Sequence, residues 1–516
     1  MHKKRLSGIL LHPTSLPGPC GIGELGKEAF KFIDFLASAQ QSLWQVLPLG
    51  PTGFGDSPYA SFSTFAGNPL LISLEKLVAQ GDLLPGEVED HPDFLDDSVE
   101  FGTLIEWKKP LLEKAASRFL DSHSSFYFAL QKDFEDFCLH NREWLEDYTL
   151  FMDIKAVYSG KAQKEGFLSA AWNNYWDKNL ALREPGALQR WRTEREREIS
   201  IGKVWQYYFF RQWGELKKYA NTKGIRIIGD IPIFVAPDSV DVWANRELFL
   251  LDEEGKPTVV TGVPPDYFSA TGQLWGNPCY NWKELQKTGY SWWVKRIRAI
   301  LTLVDIIRID HFRGFEAYWE VPAGELTAEN GRWVKAPGHD FFNTIKKTIG
   351  DIPILAEDLG VITPEVVELR DSFAFPGMKI LQFAFDSRES GDLSPSNEFL
   401  PHNYSPNSVV YTGTHDNDTT CGWYEKRSPE ELAFIHQYID AREDDISWSF
   451  IRMALSSVAY SALFPMQDIL SLGSEARMNT PSTIGGNWKW RFSADALTRA
   501  LAEKLLKISY LYGRNL

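Results

Sequence analysis

Eight short apolar runs of β-forming residues recur along the chain, with amphipathic helical stretches between them. The runs cover residues 7–12, 44–49, 226–234, 305–310, 353–357, 379–383, 408–412 and 467–472. Their central positions are nearly all apolar, the pattern of parallel strands buried on both faces. Helical periodicity marks residues 28–39, 204–222, 291–303 and 364–373, among others. Strands alternating with helices imply a parallel α/β architecture, and eight of them suggest a closed (β/α)8 TIM barrel. A barrel of this kind uses roughly 250 residues, and the chain has 516. The expectation is a single catalytic barrel domain over residues 1–516, with large, mostly helical insertions between its strands.

Two connections are long enough to be those insertions. Residues 72–200, between the second and third runs, are rich in charge and aromatics and read as a helical insertion subdomain. Residues 236–290 contain VPPDYFSATGQLWGNP, too apolar for a linker and punctuated by Gly and Pro. This segment is expected to be a loop-rich insertion that forms a lid over a cleft.

Charge narrows the partners. A net charge of −15 and a pI near 5.3 disfavour nucleic acid, which requires a basic face, and an anionic membrane surface. A neutral ligand is compatible. Cys20, Cys138, Cys279 and Cys421 are scattered, with no CxxC and no ligand spacing, as expected of reduced thiols in a cytosol-like compartment. The apolar run at residues 8–11 is too short for a signal peptide, and no stretch approaches the ~20 apolar residues of a membrane span. The expected location is cytoplasmic, or the plastid stroma if a transit peptide has been removed. The 19 tryptophans serve packing, stacking on sugar rings, or both.

Three carboxylate-bearing motifs stand at the ends of separate runs. In IIRIDHFRG, residues 306–314, strand alternation puts Arg308 and Asp310 on one face. Arg308 favours the ionised form of Asp310, the state a nucleophile requires, unless the pair only caps the strand. His311 and Arg313 add donors. In ILAEDLG, Glu357 stands beside Asp358 near an apolar strand end, so the pKa of one of them should rise, as suits a general acid. Residue chemistry leaves both candidates open, and either could cap the following helix; Glu357 is nearer the strand, with Asp358 as support. In VVYTGTHDNDT, His415 and Asp416 are placed to hydrogen-bond sugar hydroxyls. An Asx-turn cluster or a hard-cation site of Asp416, Asn417 and Asp418 competes, although the length and glutamate of a calcium loop are missing. Carboxylates at the C-terminal ends of barrel strands lie where barrel active sites form, and two flanking a scissile bond are the minimum for glycosidic chemistry.

At this point the sequence resembles the 4-α-glucanotransferases of glycoside hydrolase family 77, the amylomaltases or disproportionating enzymes. The motifs LLHPTSLPGPCGIGELG, GPTGFGDSPYASFSTFAGNP, GVPPDYFSATGQLWGNPCYNW, RIDHFRGFEAYWEVP, AEDLG, TGTHDNDT, ARMNTPS and GGNWKWR carry the resemblance over essentially the whole chain. It implies that Asp310 is the nucleophile, Glu357 the acid/base and Asp416 the stabiliser of the transition state. It implies substrate contacts from Tyr59, Arg308, His311 and His415, and from Asp266 and Trp275 in the lid. It implies no cofactor, no metal and no separate C-terminal β-domain. The implied reaction is hexosyl transfer: a retaining double displacement moves α-1,4-glucan segments from a starch-type glucan or maltooligosaccharide to the 4-hydroxyl of an acceptor, with carboxyls ~5–5.5 Å apart. An aromatic lid of Tyr267, Phe268 and Trp275 would exclude water. The alternatives are an α-1,4-glucan hydrolase of the amylase clan and a non-catalytic glucan-binding protein. Expected partners are glucans alone, for a monomer or small homo-oligomer, with no nucleic acid and no membrane.

Overall fold

The computed structural model describes residues 4–122, 125–167, 169–265, 269–390, 393–439, 445–483 and 485–514. Twelve strands form two sheets. Those of the barrel are β1 (Leu6–Leu10), β2 (Leu43–Gln45), β3 (Arg226–Pro232), β6 (Ile306–Asp310), β9 (Ile354–Ala356), β10 (Gly377–Ile380), β11 (Ser408–Tyr411) and β12 (Ser461–Pro465). All the pairings are parallel, in the order β10-β11-β12-β1-β2-β3-β6-β9. The ring closes between β9 and β10, where Ala356 N donates to Pro376 O at 3.0 Å. Asp358 spans the same seam. Its Oδ1 accepts from Met378 N at 2.7 Å and its Oδ2 from Arg370. The chain therefore folds as a (β/α)8 TIM barrel with helical insertions.

Seven of the eight expected runs coincide with barrel strands. The eighth does not: residues 467–472 lie in the helix Met466–Ile469 and the turn after it. The eighth strand is instead Ser461–Pro465, buried throughout. Its residues SALFP lack the β-branched signature, and a terminal proline reads as a turn although it is tolerated at a strand end. Asp468 explains why the later segment is no strand. It is buried and accepts from Thr420 N at 2.7 Å and from the Thr412 and Thr420 hydroxyls, tying this helix to the end of β11.

Inside the barrel, Leu6, Leu43, Ile228, Leu355, Met378, Ile380, Val409 and Leu463 form an apolar plug. A polar layer completes the interior. Tyr411 Oη donates to Gln45 Oε1 at 2.7 Å, and Arg308 faces Asp230 across the β3–β6 pair. The outer core lies between strands and helices, as where Lys27–Ser38 buries Ala29, Phe32, Ile33, Phe35 and Leu36. Between β2 and β3 the chain forms the helices Phe101–Asp121, Ser125–Lys164 and Pro185–Glu194. The next helix, Glu196–Thr222, runs across residue 200 and buries Tyr208, Phe209, Trp213 and Leu216. Fully buried Lys108 links these helices to the barrel side through Glu24 and Leu70 O.

The remaining strands are β4 (Val259–Val263), β5 (Gln273–Pro278), β7 (Ala317–Pro322) and β8 (Arg332–Lys335). They form an antiparallel sheet ordered β5-β4-β7-β8. The described part of residues 236–290 combines loops with short helices and the β4–β5 hairpin, which is locked to the segment that follows β6. Past Pro465 the described residues form helices and loops, with one isolated bridge from Trp490 back to Ser98.

Close approach of β1 to β2 requires a glycine. A Cβ on Gly8 would lie 2.1 Å from the carbonyl oxygen of Leu43, inside a closed ring that cannot spread at one strand. Gly8→Ala is expected to cost about 3 kcal/mol or more through overpacking, read as a lowered urea midpoint at unchanged slope.

Candidate active site

The end of β6 carries the central charge. Arg308 is 4% exposed and its Nη1 donates to Asp230 Oδ1 and Oδ2 at 2.8 and 2.6 Å, and to Asp310 Oδ1 at 2.9 Å. Asp310, two residues on, sits on the same face as strand alternation demands, and its side chain stays 30% exposed to the cleft. Burial works against the charge on Arg308, but Asp230 and Asp310 outweigh it and hold the guanidinium well above its usual range. Tyr59 Oη donates to Asp230 Oδ2 at 2.8 Å. Asp230 therefore uses its charge on Arg308 and Tyr59, leaving Asp310 as the carboxylate that faces open space.

Glu357 follows β9 directly. Its Oε2 accepts from His311 N at 2.6 Å and its Oε1 from Leu359 N at 3.0 Å. His311 reaches that position in left-handed backbone, φ +53°, a strained conformation for a non-glycine residue that is typical of functional sites. Asp358 points away into the β9–β10 seam, and of the two adjacent acids only Glu357 faces the cleft.

Burial pushes the Asp310 carboxyl up to about 7 against the pull of Arg308. Burial and then the Asp310 charge push Glu357 up to about 8. The pair titrates together, but the order has a clear cause. Arg308 touches Asp310, so Asp310 loses its proton first and Glu357 keeps the second.

The third carboxylate, Asp416, lies on the loop after β11. Its Oδ1 accepts from Asn479 Nδ2 at 2.6 Å, and His415 Nε2 stands 3.4 Å from its Oδ2. Burial lowers the pKa of His415, so the ring is neutral. It stacks on Tyr59 with centroids 5.1 Å apart and packs against Trp488 at 5.9 Å. Trp275, on β5, meets the His311 ring edge-on at 4.7 Å. Asp266, Tyr267 and Phe268 lie outside the described residues. The other eight expected site residues, Tyr59, Arg308, Asp310, His311, Glu357, His415, Asp416 and Trp275, share one cleft of about 1000 Å³.

Asp230, Asn479 and Trp488 were not singled out from the sequence. Asp230 had a local signal, a carboxylate in the middle of an apolar strand run, RIIGDIPIF. Asn479 and Trp488 lie within ARMNTPS and GGNWKWR, which carry the resemblance, but nothing in either motif shows that it reaches Asp416 or His415. Asn417, considered as a cation ligand, is turned inward: its Oδ1 accepts from Thr414 N and Oγ1 at 2.8 and 2.9 Å. The bond runs back three residues and closes the 414–417 turn, unlike an Asx-turn, which runs two residues on.

A TIM barrel whose catalytic face gathers carboxylates, a buried arginine and aromatic rings defines a carbohydrate-active barrel enzyme. The 4-alpha-glucanotransferase family profile, glycoside hydrolase family 77, matches residues 11–498, and the chain belongs to that family. It is 52% identical over 520 residues to a 4-alpha-glucanotransferase from Synechocystis sp., covering 100% of this chain and 99% of the relative. It is 50% identical over 518 residues to one from Thermus thermophilus, covering 98% and 99%. A solved amylomaltase from Streptococcus agalactiae, in complex with acarbose, superposes with a TM-score of 0.93 at 40% identity, covering 99% of this chain and 100% of that one.

The different surroundings of the adjacent acids give opposite expectations. Asp358→Ala leaves Met378 N without its side-chain acceptor and Arg370 with Asp371 alone at the barrel seam, and should cost about 3 kcal/mol, measured by chemical denaturation. Glu357→Gln should remove turnover without a comparable loss of stability. Asp310→Asn takes away the charge that raises Glu357. The Glu357 titration, followed by carboxyl carbon NMR or difference infrared spectroscopy, should move down from about 8; an unmoved titration contradicts the coupling.

Proposed function

We propose that the chain transfers α-1,4-glucan segments between maltooligosaccharides or starch-type glucans by a retaining double displacement. The observation that carries this reading is the unequal pair: Asp310, in contact with Arg308 at 2.9 Å and so the first of the two to ionise, beside Glu357, whose proton burial and the Asp310 charge retain. Glu357 protonates the glycosidic oxygen while Asp310 attacks the anomeric carbon, and the leaving glucan departs. Glu357, now ionised, takes the proton from an acceptor 4-hydroxyl, which displaces Asp310 and restores the original configuration. Asp416, oriented by Asn479, binds hydroxyls of the reacting sugar, with Tyr59 and His415 as its wall and Arg308 and His311 as positioning donors.

Transfer rather than hydrolysis requires an acceptor hydroxyl to reach the intermediate before water does. The β4–β5 hairpin, carrying Trp275, supplies the apolar surface for this and acts as the lid. Family membership and the named relatives favour transfer over the hydrolase alternative. Cys20, Cys138, Cys279 and Cys421 are unbridged, compatible with the cytosol or a plastid stroma, and no helix among the described residues is long and apolar enough to cross a membrane.

Incubation with maltotriose tests the reading. Glucose plus a ladder of longer maltooligosaccharides is expected, and shorter products alone would make the enzyme a hydrolase. Asp310→Asn should lower kcat by roughly 10⁴-fold or more while still binding oligosaccharide by calorimetry. Surviving turnover would remove Asp310 from the nucleophile's role.

A further inference from the structure

Beyond the reacting centre, the cleft holds a second aromatic arrangement that the mechanism leaves unused. Trp333, on edge strand β8, lines the same cleft as Asp310 and Glu357 and is 40% exposed. The Arg313 guanidinium lies over its ring at 3.8 Å from the centroid. Trp319, its cross-strand partner, meets it edge-on at 5.2 Å. One strand-mate on each side is anchored: Arg332 donates to Glu320 Oε1 at 2.7 Å and Lys335 donates to Glu316. The indole is thus held rigidly and still shows part of its surface to the cleft.

Its support is continuous with the support of the acid. Arg313 is buried and donates to Val361 O. Val361 is half-exposed and also lines the cleft. It follows Glu357 by four residues, at most about 14 Å of extended chain. His311 N holds the Glu357 carboxylate from the other strand, two residues before Arg313. Two adjacent turns, 311–313 and 357–361, therefore position both the acid and the tryptophan.

Trp333 and Val361 together form an apolar step in a cleft whose centre is charged. Solvent-exposed indole at such a step suits a ligand with a flat C–H face and a polar rim, which is a pyranose ring. We infer that Trp333 is the stacking platform of a distal glucosyl subsite, reached from the Glu357 side of the cleft, where the leaving or accepting chain runs. The inference rests on the glucan-transfer reading for the identity of the ligand. Arg313 is its positioning residue: it holds the ring at a fixed tilt, so that little side-chain freedom is lost when a sugar stacks.

The test separates this subsite from the chemistry. In an Asp310→Asn background, which binds without turnover, the Kd values for maltotriose and maltoheptaose are measured by calorimetry with and without Trp333→Ala. The expected result is a length-graded loss, with maltoheptaose weakened by roughly 5- to 10-fold and by several-fold more than maltotriose. Trp333→Phe should restore most of it. In the active enzyme the same substitution should raise KM for long chains more than it lowers kcat. Equal weakening of both sugars would reduce Trp333 to a support for the Glu357 turn, and no weakening of either would remove the subsite; each result overturns the inference. If wild-type enzyme gave no ladder from maltotriose but the length-graded binding loss remained, the transfer reading would fall and the subsite would stand.

Discussion

Everything at the catalytic face is arranged around one buried guanidinium. Arg308 is almost fully enclosed in the barrel interior, above an apolar plug, with Asp230 opposite it on β3 and Asp310 two residues along its own strand. A buried cation is costly unless it is paired and hydrogen-bonded. Asp230 meets that requirement alone, with both oxygens within 2.8 Å. The bond to Asp310 is then available for chemistry, because the arginine stays neutralised if Asp310 changes state. Tyr59 completes the arrangement by donating to Asp230, which joins the charge layer to the His415 ring it stacks on and to the tilted ring of Trp488. A register slip of one residue between β3 and β6 would turn Arg308 or Asp230 out of the barrel, so closure of the barrel and assembly of the charge layer are a single event.

Much of this could be read from the sequence because it is local. Seven barrel strands carry apolar residues at their centres, and Arg308 and Asp310 obey simple alternation. What escaped has physical reasons. Strand β12, SALFP, has no β-branched residue and ends in proline, so it advertises itself less than the run 467–472, whose apolar residues serve a helix. Asp230 acts through Arg308, 78 positions later in the chain, and through Tyr59, 171 positions earlier. Asn479 and Trp488 reach Asp416 and His415 only through the fold. The decision between Glu357 and Asp358 also depended on a non-local fact, the strand seam that Asp358 joins. The residues 236–290, expected to be loop-rich, contain a hairpin whose partner strands β7 and β8 lie beyond β6.

The two sheets divide the work. In the parallel barrel every strand is flanked on both sides, and the carboxylates proposed to react stand at the ends of its strands. The antiparallel sheet has edges at β5 and β8, and both edge strands carry a cleft-facing tryptophan, Trp275 and Trp333. A glucan chain presents repeated C–H faces and hydroxyl rims, so it needs charge at one point and apolar steps along its length. A closed barrel supplies the first and a sheet with free edges supplies the second.

Under the proposed roles of Asp310 and Glu357, the raised pKa of the glutamate also accounts for one residue serving in both halves of a double displacement. Burial and the negative charge of Asp310 hold the proton on Glu357 before reaction. When Asp310 becomes an ester, that charge disappears. The second cause of the raised pKa goes with it, and the pull of Arg308 and of the two backbone donors acts on Glu357 with less opposition. Having given up its proton, Glu357 now has reason to remain ionised, the form that deprotonates an acceptor hydroxyl. Asp230 keeps Arg308 neutralised throughout, so the switch needs no movement of the charge layer. The acid becomes a base because its neighbour changes charge, and the buried arginine determines which of the two carboxylates is the neighbour.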